Sequence, residues 1–404
     1  MADRDEAVTL DAGDPLRALY DRFVVADDGL IYLDGNSLGR LPRDTPARLT
    51  EVVSRQWGER LIRGWGEGWM RLPTTIGDRL GAGLLGAAAG QVAIADSTTV
   101  CLYKLAAAAL AARPGRTEIV TDADNFPTDR YVLESLARER GCEIVWIECD
   151  PQSGPAPEQV CAVLGERTAL VALSHVSYRS ACILEQREIT RLAHRAGALT
   201  LWDESHAVGA IPLTLDDDGV DLAAGCTYKY LNGGPGAPAF MYVRAEHQAT
   251  LRQPIWGWLG RAQPFEMAPG WVPGEGIAAM LSGTPPVLAL AAAAAGIDVV
   301  LEAGIDAIRR KSIELTQYAI DLIDEWLAPL GCSVGSPRDA AIRGSHVALV
   351  HPDARTLCPR LAGEGVLADF RTPDLIRLGL SPLTTRFVDV HDGLERLREL
   401  LRRE

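Results

Sequence analysis

ALTLWDESH (Ala198–His206) decides the fold. Ala198–Trp202 is a short, largely apolar run that stops at a carboxylate, the pattern of a strand buried on both faces. Working outward, the alternation repeats on either side. Toward the N-terminus, strands are expected at Glu118–Thr121, Glu143–Ile147 and Ala169–Leu173, with helices at Arg130–Arg140, Pro157–Leu164 and Arg187–Ala196. Toward the C-terminus come the apolar segment Val220–Cys226 and a strand at Ala239–Val243. Apolar strands separated by helices predict an α/β protein with a mostly parallel sheet between helical layers.

Residues 16–45 read as an arm, with a short strand at Gly29–Leu33 and turn residues in DGNSLGRLP (Asp34–Pro42). Asp78–Ala89 and Val100–Ala112 read as helices. After about residue 290 the pattern changes. An Ala-rich helix at Val287–Ala303, a second at Asp306–Ala328, a strand at His346–Val350 and a last helix from Asp392 predict a smaller α+β domain. The expected division is an N-terminal arm and helix over 1–60, a large domain over 61–290 and a small C-terminal domain over 291–404.

The 404 residues carry a formal net charge of −14, which repels nucleic acid and anionic membrane surfaces as partners. MADRDEAVTLDAGD at the N-terminus has neither the basic nor the apolar region of a signal peptide. Leu105–Ala112 and Val287–Ala295 are too short or too Gly-interrupted to span a bilayer. The eight cysteines show no CxxC pair and the seven histidines no HExxH spacing, so reduced thiols, a cytoplasmic location and no metal are expected.

Four segments carry chemistry. CTYKYLNGGPG (Cys226–Gly236) sets Lys229 among apolar and aromatic neighbours ahead of a glycine run. Desolvation frees a neutral amine for imine chemistry, and glycines let backbone pass close to a bound group. Asp203 ends its strand, where ligands of parallel sheets sit, and a carboxylate there can hold a pyridinium nitrogen. DSTT (Asp96–Thr99) places hydroxyls at a helix N-terminus, an anion site. NFPTD (Asn125–Asp129) puts an aromatic in a loop after a strand. Each reading alone also fits a surface lysine, a loop carboxylate, a plain cap or a core phenylalanine. Together, with Asp203 lying 26 residues before Lys229, they predict a pyridoxal 5′-phosphate (PLP) site.

These segments resemble the kynureninase family of PLP enzymes, which have the aspartate-aminotransferase fold (fold type I). The likeness covers nearly the whole chain. Its carriers are YLDGNSLG (Tyr32–Gly39), LIRGW (Leu61–Trp65), NFPTDRY (Asn125–Tyr131), LSHVSYRS (Leu173–Ser180), WDESHAVGA (Trp202–Ala210) and TYKYLNGGPGAPAF (Thr227–Phe240). PIWGWLG (Pro254–Gly260), LSGTPP (Leu281–Pro286), RGSHVAL (Arg343–Leu349) and DFRTPDLIRLG (Asp369–Gly379) extend it. Cys101 stands where the family commonly has Asn, and Glu204 where Leu is common.

The resemblance implies that Lys229 bonds the cofactor and shuttles protons, Asp203 binds the pyridine nitrogen and His206 lies beside it. Thr98, Thr99, Ser174 and Tyr228 are implied around the phosphate, joined by Trp258 and Thr284 from the second subunit of a homodimer. Phe126 is implied to stack on the ring, with Asp129 nearby. Arg377 is implied to grip the substrate α-carboxylate beside Asn36 and Ser37, and Trp65 to line the aryl pocket. Tyr228 is the implied acid. The implied reaction is hydrolysis of L-kynurenine to anthranilate and L-alanine, in tryptophan catabolism and NAD biosynthesis. The alternative is a paralogue acting on 3-hydroxykynurenine or another ring-substituted kynurenine. A desulfurase lacks support because no cysteine sits in an obvious mobile loop, and a PLP-binding regulator because no basic helix-turn-helix segment is present.

Overall fold

In the computed structural model, which describes residues 4–25 and 29–403, seven strands form the central sheet. They are β1 (Val92–Ile94), β2 (Glu118–Asp122), β3 (Glu143–Ile147), β4 (Thr168–Ser174), β5 (Leu199–Asp203), β6 (Leu222–Gly225) and β7 (Phe240–Val243). Their order is β1-β7-β6-β5-β4-β2-β3, and every pairing is parallel except those of β7 with β6 and β1. The four central strands β4 to β7 are buried at every position, which is why they read as continuous apolar runs. Edge strand β3 is largely uncovered, and its Glu143 and Trp146 face solvent.

Both faces carry helices. On one, Leu105, Ala106 and Ala109 of α1 (Thr98–Ala111) and Leu133 and Leu136 of α2 (Pro127–Arg140) pack on Ile119, Leu170, Leu199 and Met241. On the other, α3 (Pro157–Val163) contributes Val160, α4 (Gln186–Arg195) Ile189, and α5 (Val287–Ala303) Leu290 and Ile297. They pack against Val120, Val171 and Trp202. Each fully buried aliphatic side chain contributes roughly 1.5–3 kcal/mol.

A second sheet, antiparallel throughout, has the order β10-β11-β9-β8. Its strands are β8 (Ser333–Val334), β9 (His346–Val350), β10 (Asp369–Arg371) and β11 (Leu375–Gly379). Its core joins Val347, Leu349 and Ile376 to α6 (Ile305–Leu322), α7 (Ala354–Gly363) and α8 (Phe387–Arg402). The helix Arg4–Gly13 lies on α8, tied by Arg4 to Asp392 (2.8 Å) and by the Phe387 N–H donating to Asp11 (2.8 Å). Ile31–Tyr32 pairs in parallel with Val366–Leu367, which carries the arm past β11. Among the described residues no single helix is long and apolar enough to cross a membrane.

The expected helix at Asp78–Ala89 instead spans Leu72–Leu80 and continues in wider turns to Leu85. It ends at Gly86, whose φ of +58° is the left-handed cap that glycine favours. The alanines at 87–89 therefore fall outside it despite their helix propensity. Helix α2 starts at Pro127, three residues before the expected Arg130, because Pro suits the first helical position. Helix α8 likewise begins at Phe387, ahead of Asp392.

Candidate active site

Asp203 and Ser174 are the last residues of β5 and β4 and lie opposite one another in the parallel register. The lysine segment follows β6, so three neighbouring strands deliver residues to one end of the sheet. The segment turns at Asn232, whose φ of +55° is a conformation Asn tolerates. The arm meets it there: the Gly39 N–H donates to the Tyr228 carbonyl (2.8 Å), and a Cβ on Gly39 would overlap the Lys229 carbonyl.

The chain has three lysines: Lys104, Lys229 and Lys311. Lys104 is paired with Asp96 (2.5 Å) and Lys311 with Asp14 (2.6 Å), so both are committed. Lys229 forms no salt bridge among the described residues. Its Nζ lies 3.0 Å from His206 Nε2 and 5.7 Å from the Phe126 ring centre, and the residue is buried. Burial, then the Lys229 charge, holds His206 well below its ordinary value, so the imidazole facing the amine is neutral.

Asp203 accepts the Ser205 N–H at 2.8 Å. Asp129, on the first turn of α2, shares its pocket with Leu102 of α1 and Asn125. Burial first, and then the Asp203 carboxylate, pushes Asp129 well above the usual carboxylate range. Burial also raises Asp203, against the lowering effect of Lys229 and the Ser205 bond. Two carboxyl groups in one buried site resist double ionisation, and burial disfavours the charged form of Asp129. Among the described residues, Thr98 Oγ1, Asp129 Oδ1 and His206 Nδ1 are buried without hydrogen-bond partners. Buried polar atoms rarely stay unpaired. This set fits PLP: a carboxylate for a cationic ring nitrogen, a helix N-terminus with hydroxyls for a phosphate, and an uncommitted amine.

Hydrogen bonds brace the site from beneath. Ser174 Oγ donates to Asn125 Oδ1 (2.7 Å), which also accepts the Phe126 N–H (2.8 Å). Glu204 accepts from Gln186 Nε2 (2.5 Å) and meets His175 Nδ1 (2.9 Å). Tyr228 is half-buried; burial, then Cys226, raises its hydroxyl above the ordinary range. Thr99 is exposed on the first turn of α1.

Arg377 sits on β11 and is 1% exposed. It donates through Nε to Asp369 Oδ1 (2.7 Å), through Nη1 to the Tyr178 carbonyl (2.6 Å) and through Nη2 to Ser37 Oγ (3.1 Å) and Asp369 Oδ2. Asn36 beside it is fully buried, with neither amide atom bonded. Tyr178 stacks edge-on against Phe126 (5.3 Å), linking this group to the lysine. Trp65, Trp258 and Thr284 are elsewhere. Trp65 packs edge-on against Trp69 (5.3 Å) and Trp258 (6.0 Å), and Thr284 is exposed. No hydrogen bond or ring contact joins these three to the Lys229 group among the described residues.

A family model described as the kynureninase C-terminal domain matches residues 308–397. Over 408 residues the chain is 42% identical to the kynureninase of Burkholderia pseudomallei (strain K96243), covering 99% of this chain and 96% of that one. It is 39% identical to the kynureninase of Pseudomonas fluorescens, covering 100% of this chain and 97% of the relative. The chain belongs to the kynureninase family. Its fold is shared more widely. A cysteine desulfurase from Thermococcus onnurineus NA1 superposes with a TM-score of 0.80 at 19% identity, over 93% of this chain and 95% of that chain. The cystine C–S lyase C-DES also superposes with a TM-score of 0.80, at 17% identity, over 92% and 98%. The fold is therefore PLP-enzyme fold type I.

Three residues of this kynureninase-family chain escape a reading of the sequence. His346 is buried with both ring nitrogens unbonded, 5.5 Å from the His206 ring. Asp369 and Arg371 join the Arg377 group. All three lie inside the motifs RGSHVAL and DFRTPD, but only strand pairing reveals which of those residues turn inward.

Proposed function

We propose that this chain hydrolyses the Cβ–Cγ bond of L-kynurenine, releasing anthranilate and L-alanine, with PLP as cofactor. The observation that carries the reading is Lys229: the one lysine without a salt bridge among the described residues, at the strand ends beside Asp203 and a neutral His206. When bound, PLP supplies an electron sink for the electrons released at Cα and Cβ. Lys229 Nζ would be its attachment point and, when free, the base for the Cα proton. Asp203 holds the proton on the ring nitrogen. Thr98, Thr99, Ser174 and Tyr228 hold the phosphate, with Trp258 and Thr284 contributed by a second copy of the chain. Phe126 covers the ring and Asp129 hydrogen-bonds beside it. Arg377, with Asn36 and Ser37, binds the α-carboxylate, and Trp65 faces the aryl ring. Water adds to the Cγ carbonyl and the Cβ–Cγ bond breaks, with the Tyr228 hydroxyl as acid.

The homodimer is supported by the exposure of Trp57, Ile62, Trp256, Phe265 and Met267; the Phe265 ring packs against Trp258 (5.8 Å), one of the tryptophans that lie apart from Lys229. The reading places the enzyme in tryptophan catabolism in the cytoplasm, with the arm over 1–60, a large domain over 61–290 and a small domain over 291–404. The eight cysteines are all unpaired, as a reducing compartment requires. The test is direct: purified chain with PLP and L-kynurenine should release fluorescent anthranilate and alanine in equal amounts. No release would reject the activity.

A further inference from the structure

Arg377 is already occupied. A guanidinium has five N–H donors. Asp369 takes Nε and one N–H of Nη2, Ser37 the other, and the Tyr178 carbonyl one N–H of Nη1. A single Nη1 N–H is left, so an incoming carboxylate finds no two-pronged edge. Asp369 stands directly opposite Arg377 in the strand register, so the two side chains share a face. Its Oδ2 is also 2.6 Å from Arg371 Nη2, and the Arg371 side chain is 36% exposed where that of Arg377 is 2% exposed. Asp369 and Arg371 lie on β10, the three-residue edge strand of the small sheet. Asp369 thus has a second cation within reach on the solvent side, while Arg377 has no other anion among its bonded partners.

We infer that Asp369 is an internal carboxylate that fills the Arg377 fork in the ligand-free enzyme and passes to Arg371 when a substrate α-carboxylate arrives. The inference rests on the reading of Arg377 as the α-carboxylate clamp. A buried guanidinium without a counter-charge is strongly disfavoured, so the fork needs an occupant between turnovers. The exchange is carboxylate for carboxylate. An amino acid ester or amide brings no charge to replace Asp369 and is rejected, which makes Asp369 a specificity-determining residue. The handover costs part of the substrate's binding energy, so Asp369 raises the substrate concentration required for half-saturation.

Steady-state kinetics with L-kynurenine separate the possibilities, with folding checked by thermal melting. Asp369→Asn keeps an acceptor but loses the competing charge, so KM falls by about tenfold, the worth of one charge-assisted hydrogen bond. Arg371→Gln removes the receiving cation, so KM rises several-fold, and in both variants kcat moves less than KM. In Asp369→Asn/Arg371→Gln the rise disappears, because no carboxylate needs receiving. An unchanged or raised KM in Asp369→Asn overturns the exchange and makes Asp369 an orienting partner. Should that variant fail to fold, an unchanged KM in Arg371→Gln overturns it alone. Arg377→Lys tells the two readings apart: a strongly raised KM there keeps the clamp even where the exchange fails, and an unaltered KM rejects both.

Discussion

Asp203→Asn removes one charge from the end of β5 and almost nothing else. The amide is isosteric, and its oxygen can still accept the Ser205 N–H that now lies 2.8 Å from Oδ1. What is lost is the negative charge that, in the proposed function, holds a proton on the cofactor's ring nitrogen. Two buried carboxyl groups remain near it: burial pushes Asp129 well above the usual carboxylate range, and Glu204 is engaged by Gln186 Nε2 (2.5 Å) and His175 Nδ1 (2.9 Å). Neither restores the charge at the end of β5. A charge-assisted hydrogen bond is worth roughly 1.5–3 kcal/mol. A loss of that size in the transition state slows turnover about tenfold to a few hundredfold. The assay is continuous anthranilate fluorescence at saturating L-kynurenine, beside the absorption of bound cofactor. The variant should retain much of its cofactor, because the Lys229 link and the helix N-terminus are untouched. Turnover equal to wild type would refute the assignment of Asp203.

Gly39→Ala drives a methyl group into the Lys229 carbonyl and the Asn232 side chain. The expected cost is about 1–3 kcal/mol, read as weakened cofactor retention with unchanged far-UV circular dichroism; full retention would contradict it. The Trp65 indole has only apolar surface and one donor to offer a substrate ring, so plain kynurenine should have a higher specificity constant than 3-hydroxykynurenine. Trp65→His with Thr284→Asn should move the ratio toward the hydroxylated substrate, by roughly fivefold or more, in competition kinetics. Burial alone would raise Asp221, but bonds from His194 (2.8 Å) and His247 (2.7 Å) outweigh it and hold the carboxylate below its usual range. His194 is raised in return. Asp221→Asn should therefore cost about 3 kcal/mol in denaturant melts. That gap is largest at about pH 5–6. It shrinks as pH falls through the lowered carboxylate value and as pH rises through the raised His194 value.

The strands were the most legible part of the chain. His346–Val350 occurs as the residue pattern predicts, because a strand buried in a sheet declares itself through length and apolarity; Glu143–Ile147 is legible from its apolar Ile144–Ile147 run although it is a largely uncovered edge. Three-residue β1 carried too little pattern to stand out. The helix around residue 80 was displaced because three glycines and a left-handed cap outweighed the propensity of the alanines that follow. Asp203 and Lys229 were readable from their place after strands, since topology brings strand ends together. The Asp369–Arg377 pair was not. It depends on the antiparallel register of an edge strand, which nothing in the local sequence encodes. Nor was the contact of Trp65 with Trp258, 193 residues apart, which only the folded chain creates.

Whether Lys229 carries the cofactor is simple to test in a chain with three lysines. The protein loaded with PLP is reduced with borohydride, digested and mapped by mass spectrometry. One pyridoxyl adduct is expected, on the peptide containing Lys229, and none in Lys229→Ala. An adduct on Lys104 or Lys311, or no adduct in the wild-type chain, would contradict it.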